Sequence, residues 1–413
     1  MSAFDGASFF SEEAINDPHS LYEQMRNLAP VCQIGETRAF VACSHSAVTE
    51  LVKRHQDFSA NLRGMLVCGD DGAPTIFDLK GAGTASDVIA TADEPDHAIH
   101  RRLMLPPLKA GRIVALEQDI KRFAQQQVDD FLHAGGDACS ALCEALPAFV
   151  VTRLLGLGDD AQEAVQRWAM MGGEFLAGRF ESDRLQLILQ ETAAQNTYLT
   201  HHFEKVHAAP ASDRGDSLTA TLAQGVDEQL ISKEQAVGIL TILFGAAGES
   251  TASLIGSAIL RLAKDQPLQK RLRAEPNLIS AFIEEILRLE PPFKFHYRSV
   301  NADTTLGGTP LRAGDLVLAC WAAANRDPNS WPEPHRLLLD RPQREKHFGF
   351  GYGIHFCIGA PLARMEARVL LATLLRSTDN FTLADRSAFR YASSIFVRRL
   401  EKLTLSYQIA QRC

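Results

Sequence analysis

The chain lacks any apolar run long enough to cross a bilayer. Its longest uncharged apolar stretch, Ala236 to Gly248, is thirteen residues, against the roughly 20 that a membrane helix needs. The amino terminus, Met1-Ser2-Ala3-Phe4-Asp5-Gly6, has no basic region, apolar core or cleavage signal, so neither a leader nor an anchor is expected there. Excess positive charge is missing too: 42 Lys and Arg stand against 50 Asp and Glu, a net charge of −8 with a pI near 5.9, which argues against a general nucleic-acid binder. The eight cysteines, at 32, 43, 68, 139, 143, 320, 357 and 413, form no framework of close spacings. Only Cys139 and Cys143 share a helical face, and no third ligand flanks them; reduced thiols in a cytoplasmic protein are the simplest reading. Internal repeats and low-complexity tracts are absent, and no linker exceeds the loop 208–215.

What is present is an ordinary globular composition, 46% hydrophobic and 22% charged, with enough apolar residues for a large core. Helical periodicity dominates, predicting helices over 17–28, 44–54, 95–104, 112–134, 141–155, 160–178, 182–207, 232–265, 267–273, 276–289 and 360–375. Strand signals are short: 31–34, 38–42, 304–311, 315–320 and 393–407, with Gly307-Gly308 as a hairpin turn. The expected fold is mostly α with a minor β part, one domain over 1–413.

The most informative stretch is Phe350-Gly351-Tyr352-Gly353-Ile354-His355-Phe356-Cys357-Ile358-Gly359. It places one cysteine in a glycine-rich loop just before a helix, where backbone N–H groups and the helix dipole favour a thiolate. Gly351 and Gly353 permit backbone angles or approaches closed to other residues, and Gly359 leaves room for something flat above the helix start. No further cysteine or histidine stands at zinc spacing. A metal needing a single protein thiolate fits, and heme iron is such a metal. The run also lacks the third glycine and preceding strand of a dinucleotide fingerprint.

Phe350-x-x-Gly353-x-x-x-Cys357-x-Gly359 resembles the heme-binding signature of the cytochrome P450 superfamily, the heme-thiolate monooxygenases. Three other stretches carry the same resemblance. The segment 232–265 reads as one helix of roughly 50 Å, started by a Ser232/Gln235 capping box and apolar on every side before Glu249-Ser250-Thr251. Gly245 and Gly248 inside it call for small size or a local distortion. Aligned on the acid, Ala246-Ala247-Gly248-Glu249-Ser250 is similar to the family's acid–alcohol motif, with Ala247 where glycine is usual and Ser250 where threonine is usual. The resemblance assigns Glu249 and Ser250 to proton delivery beside oxygen, with Thr251 as a stand-in. Glu285-Ile286-Leu287-Arg288, followed by Pro291-Pro292, resembles the Glu-x-x-Arg brace, whose third partner is expected at Arg336. His97-x-x-x-Arg101, with Arg298 and His355, resembles the set that holds the heme propionates.

The family implies heme b with Cys357 as axial thiolate, and one oxygen atom from O2 inserted into a hydrophobic small molecule. Electrons would come from a ferredoxin or flavodoxin, docking on a basic patch drawn from Arg101, Arg102, Lys109, Arg112, Arg344, Lys346 and Arg364. The sequence resembles the soluble bacterial members, without the amino-terminal membrane anchor. Leu243, Phe244, Ala247, Phe293, Phe295, His296, Ile395 and Phe396, with the loop 64–90 and the 165–190 region, are expected to line the substrate pocket. Two rivals are a heme-binding sensor or carrier without turnover and a peroxide-driven oxygenase; the intact acid–alcohol pair argues against both.

Overall fold

Ser232 starts the long helix as its spacing predicts. Its hydroxyl accepts the Gln235 backbone N–H at 3.1 Å, and the Gln235 side chain accepts the Ser232 N–H at 2.9 Å. The computed structural model, which describes residues 3–81, 87–108, 110–179 and 182–411, continues this helix from Lys233 to Ala263. It is not uniform: Lys233–Leu243 and Ser250–Ala263 are α-helical, and Phe244–Glu249 between them is a π-helical turn. By length and composition this helix could span a membrane. Here it is the core of the protein, packed among Ala145–Leu155, Ile279–Leu289 and Ala360–Ser377.

A six-stranded sheet flanks the helical part, in the order Ala3–Phe4, Val31–Ile34, Ala39–Ala42, Leu316–Ala319, His296–Val300, Phe58–Ser59. Leu316–Ala319 runs parallel to Ala39–Ala42 and antiparallel to His296–Val300, with Ala319 opposite His296. That register brings Trp321, which opens the short helix Trp321–Ala324, alongside His296. Two apolar clusters cover the faces of the sheet, one including Phe10, Phe295 and Phe396, the other Phe58 and Trp321. The predicted hairpin forms from Thr304–Leu306 and Thr309–Leu311, turned by Gly307 and Gly308 at φ +53 and +81.

Several expectations are corrected. The stretch 393–399 is irregular, and strand begins only at Leu400–Leu403 and Leu405–Ile409. The loop 64–90 contains a hairpin, Gly64–Cys68 with Pro74–Asp78; residues 82–86 fall outside the described set. The helix expected over 160–178 breaks into Gln162–Ala169 and Met171–Phe175, where Gly172 and Gly173 weaken it. Leu218–Asp227 is a further helix, capped by Ser217. The seven described cysteines are all free thiols.

Candidate active site

Gly351 and Gly353 both adopt positive φ, +69 and +72, so the loop needs glycine at these two places. Between them and the helix the Cys357 N–H bonds the Phe350 carbonyl at 2.9 Å, closing the loop on itself. Cys357 is half-buried as a residue. Burial pushes its thiol up from the ordinary value, and the N–H of Gly359, Arg101, the N–H of Ala360 and Arg364 pull the other way. The expectation of a ready thiolate is thereby modified: the free thiol holds its proton, and metal coordination is what removes it. A Cβ on Gly359 would meet only the Cys357 sulfur, at 3.8 Å, so the space above the helix start is open.

A chain of hydrogen bonds ties this loop to the Glu285–Arg288 pair. Both side chains are fully buried. Arg288 donates through Nε and Nη2 to the two oxygens of Glu285, at 2.7 and 2.9 Å. Its Nη1 reaches the carbonyls of Asn325 and Pro334. Asn325 in turn accepts the Phe348 N–H at 2.7 Å, at the start of the turn whose last residue, Phe350, accepts from Cys357. The third partner is Arg341, not Arg336. Arg341 Nε donates to Glu285 at 2.9 Å, whereas the Arg336 side chain is 69% exposed and pairs with Glu333. Only the Arg336 carbonyl joins the brace, accepting from Arg288 and Arg341. The sequence alone assigned no role to Asn325, which the fold places between the brace and the cysteine loop.

On the central helix, Leu243, Ala246, Ala247 and Ser250 retain accessible surface, as do Thr241, Ile242 and Gly245. The first four recur at three- and four-residue spacing, so they form one open strip. Ser250 Oγ donates to the Ala246 carbonyl at 2.5 Å. Thr251, only 3% exposed, is turned into the core and off the strip. Phe244, Gly248 and Glu249 are buried. A Cβ on Gly248 would stand 2.5 Å from that of Ala169, and one on Gly173 would collide with the Glu249 carboxylate. The glycines thus let the helices Gln162–Ala169 and Met171–Phe175 close over the π turn. Glu249 Oε1 accepts from Arg399 Nε at 3.1 Å, while Oε2 is buried with no hydrogen-bond partner among the described residues. Arg399 is shared, with Glu174 at 3.6 Å, Glu401 at 3.9 Å and Glu144 at 4.0 Å. Burial pushes the Glu249 carboxyl up to about 8, against the pull of Arg399. No sequence signal pointed to Arg399.

A third cluster is cationic. The rings of His97 and His355 lie 4.1 Å apart. His355 is held down to about 2 by burial, then by Arg298, His97, Arg101 and His296. Burial lowers Arg298 to about 10, with Asp93 opposing, and its one hydrogen bond among the described residues goes to the Tyr297 carbonyl. Arg101 donates to the Phe356 carbonyl at 2.8 Å, next to the cysteine. A cavity of about 590 Å³, lined by His97, Arg101, Arg102 and Ile354 among others, opens beside this cluster.

A family model described as Cytochrome P450 matches residues 183–386. Cytochrome P450 144 of Mycobacterium tuberculosis is 38% identical over 411 residues, covering 98% of this chain and 92% of that one. Cytochrome P450 GfsF of Streptomyces halstedii is 33% identical over 346 residues, 81% of each chain. Among solved structures, CYP109E1 from Bacillus megaterium in complex with testosterone superposes with a TM-score of 0.81 at 29% identity, covering 97% of this chain and 99% of that one. The chain belongs to the cytochrome P450 family. It is therefore an oxidoreductase of the heme-dependent monooxygenase class, and its cofactor is heme with an axial cysteine thiolate.

The residues present fit that group. Heme is flat, carries two carboxylates and needs one thiolate. The P450 chain offers a glycine-flanked cysteine, an accessible helical strip and, beside the cysteine, two arginines and two imidazoles, Arg101, Arg298, His97 and His355, that can donate to carboxylates. Two expected pocket residues are corrected. Phe244 is fully buried and packs edge-on against Trp168, their centroids 6.3 Å apart. Phe295, just before the strand His296–Val300, is fully buried against Tyr297 and Phe396. Leu243, Ala247, Phe293 and His296 keep accessible surface. Ile395 and Phe396 sit just behind: Ile395 lies near Phe10 at Gly178, and Phe396 stacks on Phe293 at 4.9 Å. In the expected basic patch Arg364 is neutralised by Glu284, at 2.7 and 2.8 Å. Lys109 and the Arg112 side chain lie outside the described residues.

Proposed function

We propose that this P450 inserts one oxygen atom from O2 into a hydrophobic small molecule, as a single heme domain fed electrons by a ferredoxin or flavodoxin in the cytoplasm. When bound, heme supplies the oxygen-activating chemistry. Cys357 is the axial ligand, presented by a loop whose backbone N–H groups stabilise its negative charge. Arg101 and Arg298 would hold the heme carboxylates as charge-assisted donors, with His97 and His355 as imidazole N–H donors beside them. The open strip Leu243, Ala246 and Ala247, with Phe293, gives the substrate an apolar surface; the testosterone complex of the similar CYP109E1 supports a neutral, hydrophobic ligand.

Ser250 lies at the end of that strip, with a hydroxyl that can accept a proton donor while it donates to the Ala246 carbonyl. Glu249 stores the proton next to it. A carboxyl with a pKa of about 8 is matched to proton exchange near neutrality. Glu249 faces away from the strip, so a side-chain rotation or a water must connect the two. Arg399 and its surface-reaching partner Glu401 supply the route back to solvent.

The observation that carries this reading is Cys357, half-buried in a loop that turns on two positive-φ glycines just before a helix and is braced through Asn325. Reduced protein with carbon monoxide should show the red-shifted Soret band of thiolate ligation. Cys357→Ser should abolish it, and Cys320→Ser should not. A thiolate band that survives in Cys357→Ser would refute the assignment.

A further inference from the structure

His296 is set up as a hydrogen-bond donor. The Trp321 indole N–H, which can only donate, points at His296 Nδ1 from 2.7 Å. Nδ1 must therefore be the bare acceptor nitrogen, and the ring proton sits on Nε2. Burial, reinforced by Arg298, lowers the imidazole pKa to about 3, so the ring stays neutral near pH 7. Nε2 finds no protein partner among the described residues, and the residue keeps accessible surface although aromatic rings close in on it. Phe293 and Phe396 stand edge-on to the imidazole at 5.3 and 5.6 Å. The ring also sits near enough to depress His355, in the cluster beside Cys357. An N–H fixed in one tautomer and left without a protein acceptor, with two phenylalanine rings packed against its imidazole, is not what a purely hydrophobic pocket wall provides.

We infer that His296 Nε2–H is a preset binding donor for an acceptor oxygen of a molecule bound against His296 and Phe293, and that Trp321 is the positioning residue that fixes its tautomer. The inference rests on the P450 reading above and narrows it: the organic ligand carries a carbonyl, hydroxyl or ether oxygen alongside its hydrophobic frame. A heme carboxylate presents the same acceptor chemistry, so the test has two arms.

The holoenzyme, its thiolate heme verified by the carbon monoxide spectrum, is titrated with matched cyclic pairs such as 4-phenylcyclohexanone and phenylcyclohexane, following the heme spectral shift. Heme retention is followed by transfer to apomyoglobin. In wild type the ketone should bind about five- to tenfold more tightly than the hydrocarbon, the worth of one buried hydrogen bond. His296→Phe should erase that preference with heme transfer unchanged, and His296→Asn, which keeps an N–H, should retain part of it. Trp321→Phe should lose part of the preference while leaving hydrocarbon binding in place. Faster heme loss in His296→Phe, restored in His296→Asn, would assign the acceptor to the heme carboxylate and still bear out the donor. If wild type shows no ketone preference and heme transfer is the same in wild type and His296→Phe, the donor assignment is overturned. Loss of the thiolate spectrum itself would instead indict the parent reading.

Discussion

Two buried glutamates, Glu285 and Glu249, are built from the same parts and end in opposite states. Both are fully buried and both meet arginine. Glu285 is met by four donors, from Arg288 Nε and Nη2, Arg341 Nε and the Leu338 N–H. Burial alone would raise its carboxyl, but these partners outweigh it and hold the group below the usual range. Glu249 lies against the Gly173 backbone and accepts one side-chain hydrogen bond, from an arginine divided among four carboxylates, with its other oxygen lacking a hydrogen-bond partner among the described residues. There burial wins. A saturated carboxylate is a strut, while an undersupplied one is poised to exchange a proton near neutral pH.

The strut should be the costlier to break. Glu285→Gln leaves two buried arginines short of their counter-charge, a loss of about 3–5 kcal/mol, and should abolish folded, heme-loaded protein as judged by heme-to-protein absorbance ratio. Arg341→Ala should do much the same. Arg336→Ala, at an exposed pair, should shift stability by no more than about 0.5 kcal/mol. Equal effects for the two arginines would restore the sequence-based assignment.

Next come the pH responses, which carry opposite signs. Glu249 has a raised pKa in the folded state, so the native protein keeps a proton that the unfolded chain gives up. Its contribution to stability is therefore lost as pH rises from about 4.5 to about 8. Glu284 is the reverse. Burial would raise it, but Arg364 and His347 bring it down to about 2, so its contribution is present above about 4.5 and lost on acidification toward 2. Denaturation midpoints across pH should show the alkaline decline flattened in Glu249→Gln and the acid decline flattened in Glu284→Gln.

The smallest structural change belongs to the hydroxyls beside Glu249. Ser250→Ala should still fold and bind ligand, yet yield less product per reducing equivalent, with electrons diverted to peroxide. Thr251→Ala should barely alter that ratio, because its side chain is off the open strip. Ser250→Thr should keep or improve coupling, since a β-branched hydroxyl occupies fewer rotamers. The reverse ranking of Ser250→Ala and Thr251→Ala would place Thr251 at the working position.

This contrast marks the limit of what could be read from residues alone. The cysteine loop, the capped central helix and the Glu285–Arg288 pair were legible because each is local, within ten residues or one helical pattern. Arg341 was missed in favour of Arg336 because five residues of irregular loop decide which side chain turns inward, and no periodicity governs that. Phe244 was placed on the pocket beside Leu243 and Ala247, but it falls on the buried face with Gly248 and Thr251, three and four residues apart along the helix. Arg399 lies 150 positions from Glu249, and only the folded chain brings them together. The hairpin within 64–78 was hidden by polar, glycine-containing residues that resemble a loop.

The claim that Glu249 is a poised proton store can be tested by infrared difference spectroscopy of wild type minus Glu249→Gln, titrated from pH 5 to 10. The account predicts a protonated carboxyl band at pH 6 that disappears with a midpoint near 8. No such band at pH 6 would mean that Glu249 is ionised throughout, a second strut like Glu285, and the proton-delivery role would fall.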